Sequence, residues 1–351
     1  MGPLQGRAGS EAPRPAPGGA PPAWDGGAGG QGRAVRLFIV GPTASGKSGL
    51  ALRVAQRLGG EVLSVDSMKV YRRMDIGTAK PRGASTAGVP IHLIDLVEPW
   101  ESMSVARFCA AARQVEAEVR ARGRLPVFAG GTALYVRALT EGLFEGPAAD
   151  PELRAALRAE AARHGPGALH ARLAALDPVA AARLHPNDLR RVIRALEVHA
   201  KTGHPISELQ RQWQDAPRPD RMLVGLRWER SALAARIEQR VDRMFAEGLV
   251  EEVRRLRAEP RGLSPQAAQA LGYRELLAWL EEGEREPLAE LAARIKRNTR
   301  RFARRQLNFF SHLPDIHWIG VDASTEPDRL ADEVCERFLA ACGGRLPAGR
   351  G

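Results

Sequence analysis

The sequence is short of residues on which several protein classes depend. Its 351 residues hold three cysteines, Cys109, Cys335 and Cys342, too few and too odd a number for a disulfide framework. Cys335 and Cys342 lie seven apart in a helix-like stretch and read as one buried stripe. The eight histidines are scattered, with no zinc-like spacing to the cysteines. Both scarcities suit a reducing, cytoplasmic compartment. No stretch of about 18 apolar residues runs without a charge, so no membrane span is expected. There is no internal repeat. Lysine is scarce too: Lys47, Lys69, Lys80, Lys201 and Lys296 leave 47 of the 52 cations as arginine.

Against 41 acids those 52 cations give a net charge of +11. Arginine suits bidentate phosphate contacts, so the excess points either to a polyanionic partner or to compositional bias. The length suggests two domains, or one with a large insertion, and a 44% hydrophobic fraction can supply a core. Residues 1–34 differ from the rest. Gly, Pro and Ala fill 23 of those 34 positions without the apolar core of a signal peptide, which predicts a disordered tail. Its net charge is +1, so +10 belongs to the remainder.

From residue 35 the pattern becomes α/β. Apolar runs at 35–40, 62–65, 91–94 and 125–129 read as buried strands, separated by helical stretches at 48–58 and 105–122. This alternation predicts a doubly wound parallel sheet, with its sites at the strands' C-terminal ends. At Asp150-Pro151-Glu152 the texture changes to a helix start with an Asp cap. Residues 150–215 are Ala- and Arg-rich and helical, and a strand at 222–226 returns the chain to the core. An α/β core over 35–149 and 216–320, carrying a P-loop and interrupted by a helical insertion, is therefore expected, with a last helix and tail over 321–351.

Gly41-Pro42-Thr43-Ala44-Ser45-Gly46-Lys47-Ser48 fills every position of the P-loop pattern, after an apolar strand and before a helix. Its N–H groups, the helix N-terminus and Lys47 would cradle a phosphate chain, and Ser48 is the candidate Mg²⁺ ligand. The motif does not specify ATP. Asp66 and Asp95 each end an apolar run and are candidates for a metal-organising acid and a base; a small-molecule kinase needs the same parts. Arg236, Arg240 and Arg243 lie beside the Leu233, Ile237, Val241, Phe245 stripe of a helix over 231–247. Two other helices combine an apolar seam with clustered arginine. Residues 187–201 carry Leu189, Val192, Ile193 and Leu196 with Arg190, Arg191 and Arg194. Residues 295–310 carry Ile295, Phe302 and Phe309 with six cations and no acid, more than a solvated face needs, which favours nucleic-acid phosphate.

The stretch Asp66-Ser67-Met68-Lys69-Val70-Tyr71-Arg72-Arg73-Met74-Asp75-Ile76-Gly77-Thr78-Ala79-Lys80-Pro81 goes beyond a generic P-loop protein. With the loop, it resembles the tRNA dimethylallyltransferase family. Matching motifs follow in that family's order: residues 91–95, Gly130-Gly131-Thr132-Ala133-Leu134-Tyr135, residues 150–154, 187–197, Gln269-Ala270-Leu271-Gly272-Tyr273-Arg274 and 295–310. The resemblance spans about 36–313. Departures are Lys69, where the family usually has Gln, Arg73, where it has Gly, and Ala133.

The resemblance implies an enzyme that moves the dimethylallyl group of dimethylallyl diphosphate onto N6 of an adenosine next to the tRNA anticodon. The loop and Mg²⁺ would then hold the leaving diphosphate, with Arg236 and Arg240 as further contacts. Asp66 is implied as general base and Thr132 as its companion at the reaction centre. The resemblance also assigns tRNA contacts to Asp66, Ser67, Met68, Lys69, Thr132, Arg154, Arg190, Arg191, Val192, Ile193, Arg194 and the segment from Gln269 to Arg274. Tyr273 could stack on a base or merely pack. The expected partner is the anticodon stem-loop of tRNA, bound by a protein that is monomeric.

Overall fold

A computed structural model describes residues 35–81, 83–86, 88–144, 146–210 and 221–343. The 1–34 tail, the expected end of the insertion at 215 and the final tail lie outside the described residues. Six strands, β1 (Arg36–Val40), β2 (Gly60–Val65), β3 (Ile91–His92), β4 (Leu125–Gly130), β5 (Arg221–Trp228) and β6 (Ile316–Val321), pair in parallel in the order β3-β2-β4-β1-β5-β6. The central strands are near-continuous apolar runs because both faces are covered. Alternate residues of β1 serve opposite faces: Leu37 and Ile39 enter one core, Phe38 and Val40 the other. Helices α1 (Lys47–Arg57) and, at the chain's end, residues 327–341 cover the first face. On the second, α2 (Val105–Ala121) and α3 (Ala133–Glu141) are joined by four later helices.

After α3 the chain leaves the sheet. Helices α4 (Pro151–His164), α5 (Pro166–Leu176), α6 (Pro178–Arg183), α7 (Leu189–Thr202) and α8 (Ile206–Leu209) surround their own core, centred on Leu157, Leu169, Leu173 and Val192. Asp150 caps α4 by accepting the Leu153 N–H at 3.0 Å. Following β5 come α9 (Arg230–Ala246), α10 (Leu249–Arg257), α11 (Tyr273–Glu281) and α12 (Leu288–Ser311); β6 and α13 (Pro327–Ala341) end the fold. Cys335 is buried on α13 and Cys342 sits half-buried just past its end, against the same core.

Two expectations need correction, and one strand was not foreseen. The 91–94 run pairs over Ile91–His92 alone, because Leu93 and Asp95 adopt positive φ (63° and 53°) and turn the chain away from β2. β6 had no continuous apolar run to reveal it: it is a half-exposed edge strand. The seam of α12 keeps Ile295 but runs through Leu291, Thr299, Ala303, Gln306 and Phe310 rather than Phe302 and Phe309. A straight helix drifts about 20° per seven residues, so a strict heptad slides off the buried face, and Phe302 and Phe309 lie at its margin.

Register decides what meets at the C-terminal edge. Gly130 pairs with Val40 on one side and Val65 on the other, so the chain leaves β1, β2 and β4 side by side. That contact admits no side chain: a Cβ on Gly130 would lie 1.9 Å from the Val65 carbonyl oxygen. Gly130→Ala is expected to destabilise the fold by at least the about 1–3 kcal/mol typical of overpacking, seen as a lowered thermal midpoint.

Candidate active site

The loop after β1 is held from outside so that its inner side stays free. Ala44 and Gly46 take positive φ (63° and 88°), the left-handed turns that make successive N–H groups converge. The outward groups are satisfied by neighbours. Trp228 Nε1 donates to the Ser45 carbonyl at 2.9 Å, Arg236 Nε to the Ala44 carbonyl at 2.9 Å, and Lys47 Nζ to the Pro42 carbonyl at 3.0 Å. Arg236 also lies 4.3 Å above the Trp228 ring. The first-turn N–H groups of α1, from Lys47 onward, have no acceptor within the helix and remain for a ligand.

The loop opens on a cavity of about 570 Å³ lined by Lys47, Ser48, Lys69, Lys80, Arg236, Arg240 and Arg243. Asp75 and Glu247 also line it, so six cations face two acids, a balance that favours an anion. Burial and the nearby Arg240 lower the Lys47 ammonium to a pKa of about 7, against the pull of Asp66. Lys69 is lowered in the same way, by burial first and by Arg240 and Lys80, with Asp66 opposing. Ser48 is exposed on the wall. Among the described residues no cluster of three His, Cys, Asp or Glu could hold a metal by itself.

Asp66 and Thr132 stand together beyond β2 and β4. Asp66 Oδ1 accepts the N–H groups of Met68 (2.9 Å) and Lys69 (3.3 Å), so the carboxylate does cap its turn. Only one oxygen is used there. Thr132 Oγ1 accepts the Ser67 N–H at 2.9 Å and donates to the Ser67 hydroxyl at 3.3 Å. Asp95 is different: its carboxylate lies 2.5 Å from Lys80, which also bonds Asp75 at 2.9 Å and the Tyr71 carbonyl. Asp95 is thus tied to a cation, whereas Asp66 forms no ion pair among the described residues.

On α12, Lys296 pairs with Asp242 (2.6 Å) and Arg300 with Glu238 (2.5 Å), so two of the six cations are countered from α9. Arg297, Arg301, Arg304 and Arg305 are exposed without an ion-pair partner among the described residues. Free charge without a counter-ion is what a phosphate backbone engages.

Residues 69–313 match the family model described as IPP transferase, and 34–95 match isopentenyl transferase. The chain belongs to the IPP transferase family. It is 50% identical to the tRNA dimethylallyltransferase of Symbiobacterium thermophilum, over 85% of this chain and 93% of that one. The tRNA dimethylallyltransferase of Anaeromyxobacter dehalogenans is likewise 50% identical, over 86% and 99%. Among solved structures, the tRNA isopentenylpyrophosphate transferase of Bacillus halodurans is 40% identical with a TM-score of 0.64, covering 88% of this chain and 97% of its own. A eukaryotic dimethylallyltransferase acting on tRNA is 27% identical with a TM-score of 0.72, covering 88% and 78%.

The residues that the family resemblance assigned to tRNA divide by exposure. Arg190, Arg191, Gln269 and Arg274 are exposed. Val192 and Ile193 are buried in the insertion's core, so their side chains support the helix and touch nothing outside it. Arg154 and Arg194 both grip the buried Glu197, at 2.7 and 2.5 Å. Burial works against the Glu197 charge, but the bonds from Arg154, the Asp150 N–H and Arg194 outweigh it and hold the carboxyl near 2. Tyr273 is fully buried and cannot stack on a base in this arrangement; Ala270 and Gly272 are buried beside it.

The role of Tyr273 is to hold the cavity wall. Its hydroxyl donates to Glu252, whose carboxylate also accepts the N–H groups of Asp75 (3.0 Å), Ile76 (2.9 Å) and Gly77 (3.3 Å). Glu252 escaped the sequence reading; its one signal was an acid on the apolar face of α10. Lys69, in place of the usual Gln, points its charge into the cation cavity. Arg73, in place of the usual Gly, keeps a φ of 63°. Its side chain offsets that strain by pairing with Glu98 and Glu259 over the Trp100 ring.

Burial and the nearby Arg240 depress Lys47, so a bound anion should restore its proton. At pH 8, above the folded pKa of about 7, binding of inorganic pyrophosphate is expected to take up protons from solvent. Near pH 6 Lys47 is already charged and its contribution should vanish. Calorimetry in buffers of different ionisation enthalpy measures this directly; equal uptake at both pH values would contradict it.

Proposed function

We propose that the protein transfers the dimethylallyl group of dimethylallyl diphosphate to N6 of the adenosine on the 3′ side of the anticodon in tRNA, acting as a cytoplasmic monomer with Mg²⁺. The observation that carries this reading is a cation-lined cavity with the Asp66–Thr132 pair beside it, Asp66 lying within electrostatic reach of Lys47, Lys69 and Arg240. A phosphotransferase needs the first; the second suits removal of a proton from a weakly nucleophilic amine.

The diphosphate sits against the loop N–H groups with Lys47, Lys69, Arg236 and Arg240 around it. As the allylic C–O bond breaks, the bonding pair leaves with the diphosphate, and these fixed charges stabilise it without rearranging. The N6 lone pair forms the new C–N bond, and the N–H proton passes to the free Asp66 oxygen. Thr132, fixed by Ser67, orients the amine. Ser48 would hold Mg²⁺ through its hydroxyl, a hard oxygen of the kind this ion prefers. When bound, the ion neutralises charge on the leaving group.

The adenosine must leave its stacked loop, at a cost of a few kcal/mol. Arg297, Arg301, Arg304 and Arg305 supply binding energy for that extrusion, with Arg190 and Arg191 as further contacts on the insertion. Arg154 and Arg194 shape that surface through Glu197.

Labelled dimethylallyl diphosphate and unmodified tRNA should give label transfer dependent on Mg²⁺, with no ATP hydrolysis; ATP turnover without transfer rules the reading out. Asp66→Asn keeps the Oδ1 acceptor for Met68 and Lys69, so it should abolish transfer while tRNA still binds. Loss of both together would make Asp66 structural. Replacing Arg301 and Arg305 with Gln should reduce the salt slope of tRNA binding by about two, roughly one per lost phosphate contact. An unchanged slope would return α12 to a solvated face.

A further inference from the structure

The helix carrying the free arginines is tied to the phosphate loop by a buried side chain that no step of the reaction uses. Gln306 lies on the inner seam of α12 and is 6% exposed. Its carbonyl oxygen accepts the Thr43 N–H at 2.8 Å, and its amide nitrogen donates to the Gly131 carbonyl at 2.7 Å. One planar amide therefore spans the loop that would grip the diphosphate and the turn that presents Thr132. The space is closed around it: a Cβ on Gly131 would lie 2.5 Å from Gln306 Nε2. Flanking Gln306 on the outer side, Arg301, Arg304 and Arg305 face solvent.

The rest of α12 is fastened to the other wall of the same cavity. Lys296 and Arg300 pair with Asp242 and Glu238 on α9, the helix that bears Arg236 and Arg240. Ala303 packs against Leu233 and Ile237, with Ala44 of the loop and Leu307 at the margin of that cluster. A small movement of α12 thus reaches the loop through both Gln306 and Ala44. Hydrogen bonds of 2.7–2.8 Å weaken steeply with misalignment, so the amide transmits such movement better than apolar contact does.

We propose that Gln306 is a positioning residue that couples phosphate engagement by the arginine face of α12 to the geometry of the diphosphate loop. Each substrate then tightens binding of the other, and by linkage the two effects are equal. This rests on the proposed reaction and goes beyond it, since prenyl transfer does not require the two sites to communicate.

The test uses the whole protein, inorganic pyrophosphate with Mg²⁺, and an unmodified anticodon stem-loop RNA, titrated singly and together. In the wild type, saturating RNA should tighten pyrophosphate binding on the order of tenfold. Gln306→Leu keeps the volume but loses both bonds; the factor should collapse toward one while RNA alone binds as before. In Gln306→Glu only the protonated acid presents the donor and acceptor that the amide does. Its coupling should therefore return as pH falls, a step absent from the wild type. A factor of one in the wild type, or one that survives in Gln306→Leu, overturns the proposal. If Gln306→Leu fails to fold, the pH step of Gln306→Glu decides: its presence supports the coupling and its absence rejects it. A wild type that binds neither ligand would instead defeat the proposed reaction, and this inference with it.

Discussion

Crowded positive charge is the constraint on which the rest of the structure depends. Lys47, Lys69, Arg236, Arg240 and Arg243 face one cavity, and burial, with repulsion from Arg240 and Lys69, pushes Lys47 down to about 7. Such a cluster would scatter if its carriers were free to move. Three of the five are held by something rigid: Lys47 by the loop it belongs to, Lys69 by the turn that Asp66 caps, and Arg236 by Trp228 and the Ala44 carbonyl. The fold holds together a charge density that a bound polyanion would relieve.

Carboxylates supply the second level of organisation, and each does a distinct task. Glu252 gathers three N–H groups and the Tyr273 hydroxyl to fix the loop over 75–77, which forms one cavity wall. Glu197 gathers Arg154, Arg194 and the Asp150 N–H to fix the insertion's first helix against α7. Asp95 and Asp75 hold Lys80. Asp66 differs from Glu197, Asp75 and Asp95 in that it caps its own turn through Oδ1 and forms no ion pair among the described residues.

Helix α12 shows how one element serves two surfaces. Its inner seam mixes apolar residues with Thr299 and Gln306, whose polar atoms are satisfied by the Ile295 carbonyl and by the loop and turn. Its outer face carries arginine that α9 leaves unpaired. Breaking the strict heptad lets the inner seam follow the true helical period. It also places Gln306, rather than Phe302 or Phe309, at the junction of loop and turn.

The local chemistry of this protein was legible from residues alone. The P-loop pattern, the Asp150 cap, the buried runs of β1, β2 and β4, and the motif around Asp66 each depend on neighbours within a few positions, so sequence spacing carries them. The edge strand β6 and the shortened β3 were not legible, because half-exposure and positive φ leave no periodic trace. Nor could the sequence separate arginines bound for a ligand from those bound to an acid. Arg190 and Arg194 sit on the same helix four residues apart, yet only the second meets Glu197. Tyr273 read equally well as stacking platform or packing, and the distant Glu252 decided it. Ion pairs, buried amides and the closing of a cavity join residues tens to hundreds of positions apart. Their partners are set by how helices pack on the sheet, and that only the tertiary structure decides.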